Sequence, residues 1–241
     1  MTSERSTARS RLSGFFITGT DTEIGKTFVT AALTRALAAT GQRVAPIKSL
    51  AAGQEFVDGR CVNEDVATLL AAQNLGLTDV DVGPLQFREP CAPHIAAKLE
   101  GGSIDRDALL TAIRTTAAKA DIALVEGVGG FRVPLTDTWD TADLAVDLGL
   151  PVILVVGLRL GCINHALLTA EAIRARGLTL AAWVANTVDP HQPHVADNLA
   201  SLQAGLKAPC LGHLPRFDEP RLSDPLAAPA CLDISPLVAL A

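Results

Sequence analysis

The amino-acid sequence predicts an α/β fold with a single doubly wound, mostly parallel sheet flanked by helices. Short apolar runs alternate with longer helical patterns along the chain, which favours strands joined by helical crossovers. One run, PVILVV at 151–156, is apolar without interruption, as is typical of a strand covered on both faces. Ligands of such sheets lie at the carboxyl ends of the strands. We therefore look for function in the residues that follow each strand.

The elements alternate regularly and define one unit. We predict strands at 14–18, 43–47, 122–126, 151–156, 180–185 and 208–214. We predict helices at 25–40, 63–73, 103–119, 140–148, 162–176 and roughly 193–205. No internal repeat or low-complexity linker divides them, so we expect residues 14–241 to form one domain. Residues 1–13 are Ser- and Arg-rich without an apolar segment, which excludes a secretory signal and leaves a flexible extension or an organelle-targeting segment.

Composition narrows the classes of function. The 241 residues are 49% hydrophobic and 19% charged, which is ample apolar content for a buried core. The net charge of −6 and an aromatic content of 4% disfavour nucleic-acid binding. The longest apolar run, 150–158, is too short to span a bilayer, and the five scattered cysteines are typical of reduced thiols in the cytoplasm. We expect a cytoplasmic protein that acts on small molecules, with no nucleic-acid or membrane partner.

The first predicted strand leads into a phosphate-binding loop. The segment GTDTEIGKT at 19–27 follows an apolar run and opens an alanine-rich helix, which is the strand–loop–helix context of a P-loop. Backbone N–H groups in such a loop attract phosphate oxygens. Lys26 would reach the β- and γ-phosphates, and the Thr27 hydroxyl would bind Mg²⁺. The loop thus predicts a P-loop NTPase-like fold.

The loop differs from the usual P-loop pattern in two respects. Five residues rather than four separate Gly19 from Gly25, so Thr20 stands in the place of the usual first glycine. Two of the intervening residues, Asp21 and Glu23, are acidic. Carboxylates beside a polyphosphate require an explanation, because like charges repel.

Two further strands end in charged residues. The segment IALVEGVGG at 122–130 ends its strand at Glu126, where a carboxylate is placed to hold Mg²⁺ directly or through water. Lys48 ends the second strand and would add positive charge for a reacting phosphate or carboxylate. Asp65 lies at the start of the helix 63–73, where capping and interaction with the helix dipole explain it as well as completing a metal shell does.

With these residues in place, the chain closely resembles the dethiobiotin synthetases, ATP-dependent enzymes of the biotin pathway. FFITGTDTEIGKT matches the family's widened P-loop, and ALVEGVGG matches its magnesium-binding strand. EPCAPHIAA resembles its substrate-region segment, while PVILVVGLRLGCINHALLTAEAI and LAAWVAN resemble its later strands and dimer-interface helix. Several motifs in the right order, from about Gly14 to Pro215, make the resemblance specific.

The resemblance implies a reaction. Members of this family convert 7,8-diaminononanoate, CO₂ and ATP into dethiobiotin, ADP and phosphate, the penultimate step of biotin biosynthesis. One amine takes up CO₂ as an N-carbamate, ATP phosphorylates the carbamate, and the second amine attacks the carbamic–phosphoric anhydride and closes a cyclic urea. The carbamate and the γ-phosphate are both anions, so their approach needs the positive charge of Lys26, Lys48 and Mg²⁺.

The resemblance also implies roles for individual residues. Catalysis falls to Lys48, Lys26 and Glu23, and Mg²⁺ binding to Thr27, Asp65 and Glu126. The residues implied in ATP binding are Glu23, Ile24, Gly25, Lys26, Thr27, Phe28, Asp65, Glu126, Gly127, Val128, Gly129, Asn186, Thr187, Leu214, Pro215 and Arg216. Those implied in substrate binding are Thr22, Ala52, Pro93, Gly161, Cys162, Ile163 and Asn164. The last four open a helix whose N–H groups would bind the substrate carboxylate across a homodimer interface.

The chain departs from the family pattern at three positions. Family members commonly read K-P-V-A-[SA]-G where this chain reads KSLAAG, so Ser49 replaces a proline and is expected to loosen the backbone beside Lys48. Ala52 offers no hydroxyl, so we assign it a backbone or packing role. Arg216 stands where other members carry an aromatic residue, which leaves the wall of the adenine pocket undefined.

Three side chains have alternative roles on this interpretation. Glu23, and Asp21 with it, would bind an amine of the substrate, orient magnesium-bound water or hold the widened loop in shape. His94, in EPCAPHIAA, would line the substrate region or cap its helix.

Two other classes of function share the P-loop. Partitioning or targeting ATPases carry a signature lysine five residues before the loop lysine, a position held here by Asp21, and a basic amphipathic tail is also lacking. Cobyrinate-type amidoligases share the widened loop, but GCINHA and the lack of a glutaminase domain count against them. Both remain alternatives to dethiobiotin synthesis.

Overall fold

The computed structural model describes residues 12–57, 59–217 and 227–240, and their centre is a six-stranded parallel sheet. The strands along these residues are β1 (Gly14–Gly19), β2 (Val44–Lys48), β3 (Ala51–Ala52), β4 (Glu55–Val57), β5 (Arg60–Val62), β6 (Gln86–Phe87), β7 (Ile122–Glu126), β8 (Val152–Leu158), β9 (Leu180–Thr187) and β10 (Cys210–Leu214). The central sheet has the order β10-β9-β8-β1-β7-β2. The chain places strands on both sides of β1: β2 forms one edge and β7 later inserts between β1 and β2, while β8, β9 and β10 extend the other side in order. The predicted doubly wound α/β fold is thus confirmed.

Helices cover this sheet. They are α1 (Lys26–Ala38), α2 (Glu64–Ala72), α3 (Asp79–Val82), α4 (Pro93–Leu99), α5 (Arg106–Ala117), α6 (Thr141–Leu148), α7 (Cys162–Ala175), α8 (Val195–Leu206) and α9 (Ser235–Val238), with a 3₁₀ turn at Pro229–Cys231. Side chains of β8 alternate between the two faces of the sheet. Ile153 and Val155 join a core cluster that includes residues of α1, while Leu154 and Val156 join a second cluster that includes residues of α7. Apolar burial on both faces explains the uninterrupted apolar run.

All the predicted strands and helices are present, with ends within three residues of the prediction. Capping side chains fix some of the differences. Asp105 accepts a hydrogen bond from the Ala108 N–H at 2.9 Å and starts α5 later than predicted. Asp140 and Asp143 form a reciprocal capping box that starts α6.

The segment between β2 and α5 contains elements that the sequence did not predict. β3 pairs with β6 in a parallel two-stranded sheet, and β4 pairs with β5 as an antiparallel hairpin. Strands of two or three residues are too short to produce a periodic pattern, which is why they were missed. This segment also contains α3 and α4, and it places residues 52 and 90–93 near the carboxyl end of the sheet.

The structure describes only part of each end of the chain. Residues 1–11 of the predicted extension lie outside the described residues, whereas the Ser13 carbonyl accepts a hydrogen bond from the Ala123 N–H at 3.0 Å. At the other end, the Asp233 N–H donates to the Leu211 carbonyl at 2.7 Å, and Leu237 is fully buried. Ala228 and Leu237 therefore join the core cluster on the α1 side. No helix within the described ranges is long and apolar enough to cross a membrane.

Gly14 offers a test of the tight packing between β1 and β7. Its φ is +146°, and a Cβ atom there would lie 2.0 Å from the Ala123 carbonyl oxygen. That oxygen belongs to a central strand, so neither partner has room to move. We expect Gly14→Ala to lower the free energy of unfolding by about 3 kcal/mol or more, measured by urea denaturation.

Gly41→Ala is the matched control, because Gly41 also has a positive φ, +89°, but a Cβ atom added there would find nothing within 4 Å. Left-handed backbone alone costs about 1 kcal/mol. Equal losses in the two variants would contradict the packing argument.

Candidate functional site

The P-loop connects β1 to α1 and is anchored by the end of β9. Gly25 adopts a left-handed conformation with φ +81° at the N-terminus of α1. The Asn186 side chain donates from Nδ2 to the Ile24 carbonyl at 2.9 Å. A Cβ atom on Gly25 would lie 2.3 Å from that same Nδ2. Glycine is therefore required both by the backbone turn and by the approach of Asn186.

Lys26 is the first residue of α1, directly after this loop. Its ammonium donates to the Asp21 carbonyl at 3.0 Å, and only 6% of the residue is exposed. Burial lowers the pKa of Lys26 to about 8; the nearby Lys48 charge also lowers it, while the Glu126 carboxylate opposes the shift. Lys26 thus presents a poorly neutralised cation at the place where a P-loop holds phosphate.

Glu126 is the centre of a buried charge cluster. Its Oε1 accepts hydrogen bonds from Lys48 Nζ and from the Thr27 hydroxyl, both at 2.7 Å. Lys48 Nζ also lies 2.6 Å from Asp65 Oδ2. Glu126 is 0% and Lys48 4% exposed. Burial acts to lower the pKa of Lys48, but the two carboxylates outweigh it and hold that pKa above its usual value.

Ser49 holds this cluster from the main chain. Its N–H donates to the Glu126 carbonyl at 2.9 Å, and its hydroxyl donates to the same oxygen at 2.8 Å. The residue is fully buried. These bonds fix the backbone that we expected the serine to loosen, and they keep Lys48 opposite Glu126 in the β2–β7 register.

Asp65 does not cap its helix. Asn63 does so instead, because its side-chain oxygen accepts from the Val66 N–H at 3.1 Å. Burial would raise the pKa of Asp65, but the charge and hydrogen bond of Lys48 outweigh it and hold the pKa below its usual value. Capping is therefore excluded for Asp65, while its place in the first turn of α2 still suits the helix dipole and its side chain also lines the cleft.

The oxygen atoms of this cluster suit a hard cation. Glu126 Oε2 is buried and finds no hydrogen-bond partner among the described residues, so a cation or its bound water would satisfy it. Within the described parts of the chain, no group of three or more His, Cys, Asp and Glu side chains could hold a metal alone. Mg²⁺ is usually held by one or two carboxylates together with phosphate and water oxygens, so Thr27, Asp65 and Glu126 fit it in the presence of a nucleotide.

A cleft of about 910 Å³ extends over the P-loop and the two lysines, a volume within the range of ligand sites. The predicted site residues that line it are Thr22, Glu23, Gly25, Lys26, Thr27, Phe28, Lys48, Ala52, Asp65, Pro93, Val128 and Gly129. Further lining residues, which the sequence did not single out, are Glu64, Thr68, Pro90, Cys91, Ala92 and Val133. The cleft thus joins the predicted phosphate site to part of the predicted substrate region.

Other predicted ATP residues lie at the carboxyl ends of β7, β9 and β10 or within the loop. They are Ile24, Gly127, Asn186, Thr187, Leu214, Pro215 and Arg216. The Thr187 hydroxyl lies 2.8 Å from His213 Nε2. The rings of Phe28 and Phe217 pack at 5.9 Å between centroids. Phe217, one residue after Arg216, is an aromatic side chain that the sequence analysis did not single out.

The predicted carboxylate-binding residues 161–164 open α7 and are not part of the cleft lining in this chain. The Cys162 N–H donates to the Arg159 carbonyl at 3.0 Å, so it is already engaged. Cys162 itself is buried, whereas Leu160 is 93% and Leu168 57% exposed. Apolar side chains before and along α7 are therefore exposed, at positions outside the cleft lining.

The two acidic residues of the P-loop have different surroundings. Glu23, with φ +57°, lines the cleft. Asp21 turns to Arg159, which follows β8, and forms an ion pair with it. Arg159 was not predicted, although its place just after a strand end was a usable signal. His94 does not cap its helix, because α4 begins without a side-chain cap. Its Nδ1 lies 3.1 Å from the Pro134 carbonyl, and it is not among the residues that line the cleft.

Comparisons with known proteins agree with this architecture. A family model described as an AAA domain matches residues 13–223. Among solved structures, a ParA family ATPase from Chlorobium tepidum TLS superposes with a TM-score of 0.52 at 15% identity, covering 95% of this chain and 96% of that one. A MinC:MinD cell division protein complex from Aquifex aeolicus gives a TM-score of 0.51 at 17% identity, covering 92% and 87%. These likenesses show the fold of a P-loop NTPase.

The burial of Lys26 should cost the nucleotide-free protein stability. Since the folded-state pKa is lowered from 10.5 to about 8, the unfolded chain binds the proton more tightly. The penalty is complete below pH 8 and disappears as the pH rises above the unfolded value. We expect Lys26→Met to raise the free energy of unfolding by about 3 kcal/mol at pH 7 and by clearly less at pH 10.

Urea denaturation without nucleotide at the two pH values would measure this. Lys98→Met, at an exposed lysine of α4, is the control and should change little at either pH. A Lys26→Met variant that is less stable than the wild type at pH 7 would contradict the burial argument.

Proposed function

We propose that this chain, which belongs to the AAA-domain family that includes dethiobiotin synthetase-like P-loop NTPases, is a dethiobiotin synthetase. The proposed reaction joins 7,8-diaminononanoate and CO₂ as an N-carbamate, transfers the γ-phosphoryl group of ATP to the carbamate, and closes the cyclic urea with release of phosphate. The observation that carries the proposal is the shared cleft. Lys26 and Lys48 line it together with Thr22, Ala52 and Pro93 of the predicted substrate region.

Two lysines in one cleft suit a reaction between two anions. ATP would place its β- and γ-phosphates against the loop N–H groups and Lys26. The carbamate would lie beyond the γ-phosphate, toward Lys48. Because Glu126 and Asp65 keep the pKa of Lys48 high, this lysine stays protonated and acts by charge rather than by taking a proton. Positioning and charge are what phosphoryl transfer requires of a protein.

Mg²⁺, held by Thr27, Asp65 and Glu126, would neutralise charge that develops on the transferring phosphate. Thr27 and Glu126 are already joined by a hydrogen bond at 2.7 Å, so α1 and the end of β7 hold these oxygens close together. Ser49, directly after β2, donates a hydrogen bond to the Glu126 carbonyl and so helps to hold Glu126 in position.

The geometry around Asn186 favours an amino-substituted base such as adenine. Only the amide NH₂ group can donate to the Ile24 carbonyl, so that contact fixes the orientation of the side chain. Oδ1 is then the atom available to a ligand, and it accepts hydrogen bonds. An acceptor at this place suits the exocyclic amine of adenine rather than the O6 carbonyl of guanine.

A second copy of the chain would complete the substrate site. In the family, residues corresponding to 161–164 bind the substrate carboxylate across a homodimer. Here the start of α7 carries the exposed Leu160 and Leu168, as an interface would require. We propose a cytoplasmic homodimer on these grounds.

A partitioning ATPase is the second candidate, because proteins of that class share the fold. The resemblance extends to the fold alone. In partitioning ATPases a signature lysine precedes the loop lysine by five residues. Here Asp21 stands at that position and is paired with Arg159.

Purified protein incubated with 7,8-diaminononanoate, bicarbonate and MgATP should release dethiobiotin, detected by mass spectrometry, with ADP formed in equal amount. Lys48→Ala should reduce kcat by about 100-fold or more, because charge stabilisation at the reacting phosphate is lost. ATP hydrolysis that is indifferent to the diamine would refute the proposed function. Near-normal turnover by Lys48→Ala would remove that lysine from the mechanism.

Glu23 is proposed to meet an amine of the diamine. Glu23→Gln keeps the shape of the side chain and removes its charge, so we expect the KM for the diamine to rise by about tenfold with the KM for ATP nearly unchanged. Asp107→Asn, at an exposed carboxylate of α5 outside the cleft lining, is the control. A diamine KM equal to that of the wild type would exclude the amine contact.

A further inference from the structure

Asp21 places a negative charge inside the loop that must receive a polyphosphate. The Lys26 ammonium lies 3.0 Å from the Asp21 main-chain carbonyl, so Asp21 is in direct contact with the phosphate-binding lysine. Asp21 Oδ1 also accepts a hydrogen bond from the Thr22 N–H at 2.8 Å. An unpaired carboxylate here would repel the incoming phosphates through a partly desolvated site.

Arg159 meets this charge from another part of the fold. It follows β8, whose end adjoins the loop: the Thr20 N–H donates to the Val155 carbonyl at 3.0 Å. The Arg159 guanidinium forms an ion pair with Asp21 Oδ2 through Nη2. The Asp21 carboxylate thus has both oxygens engaged, one by an N–H group and one by a cation.

We propose that Arg159 neutralises Asp21 and thereby keeps the acidic P-loop receptive to a nucleoside triphosphate. Arg159 is in this view a positioning residue of the nucleotide site: it acts on the phosphates through Asp21. The proposal rests on the nucleotide-binding half of the proposed function and does not involve the diamine.

Neutralisation and mechanical support predict different mutant patterns. If the Asp21–Arg159 ion pair only held the loop in shape, loss of Asp21 and loss of Arg159 would weaken nucleotide binding to the same degree. If Arg159 cancels a repulsive charge, Arg159→Gln exposes the carboxylate, whereas Asp21→Asn removes the charge and keeps the side-chain shape. The double variant should then bind as Asp21→Asn does, because no unpaired carboxylate is left.

The test is isothermal titration of the full chain with a non-hydrolysable ATP analogue and Mg²⁺. We expect Arg159→Gln to raise Kd by about fivefold to tenfold, Asp21→Asn to stay within about twofold of the wild type, and the double variant to recover most of the loss. Raising the salt concentration to about 0.5 M should shrink the Arg159→Gln effect, since screening weakens the repulsion.

Arg43→Gln is the matched control, because it breaks the Arg43–Asp121 ion pair at the amino end of β2, which is exposed to a similar degree. It should leave Kd unchanged. Equal weakening by Asp21→Asn and Arg159→Gln without recovery in the double variant, or an unchanged Kd for Arg159→Gln, would overturn the proposal. Protein that shows this pattern but makes no dethiobiotin would refute the proposed reaction and leave the role of Arg159 intact.

Discussion

The ion pair between Lys48 and Glu126 organises the carboxyl edge of the sheet. The two residues are register partners at the ends of β2 and β7, and both are buried. Desolvating a charge pair is expensive, and an apolar pair of similar volume would serve a sheet at least as well. The charges are therefore explained by the site: Glu126 reaches Thr27 of the P-loop helix, and Lys48 reaches Asp65 of α2. One pair thus connects the elements that surround the cleft.

The same reasoning explains how an acidic loop binds phosphate. Asp21 and Glu23 look equivalent in the sequence, but only Glu23 lines the cleft, while Asp21 pairs with Arg159. Their division follows from the fold, because β8 lies next to β1 and brings Arg159 to the start of the loop. Of the two acids, Glu23 is thus the one left to meet a substrate amine.

The sequence predicted the parts of the site that lie at strand ends. Lys48 and Glu126 could be identified because parallel strands deliver their carboxyl ends to one edge, whatever the details of packing. Lys26 could be identified because the P-loop pattern is local in the sequence. Arg159 and Phe217 were missed, since their roles depend on contacts with residues far away in the chain: Arg159 meets Asp21 at a separation of 138 residues. Asn63 was missed as the cap of α2 because Asp65, nearby, is an equally good capping residue by type.

The two cleft lysines differ in a way that suits their proposed roles. Lys48 is neutralised by Glu126 and Asp65, so its charge and position are set before any ligand arrives. Lys26 donates instead to a main-chain carbonyl, and burial lowers its pKa to about 8. A polyphosphate would satisfy the charge of Lys26 and relieve that penalty, so nucleotide binding should stabilise the fold through this residue. Lys48 is already paired and therefore gains little from the nucleotide itself.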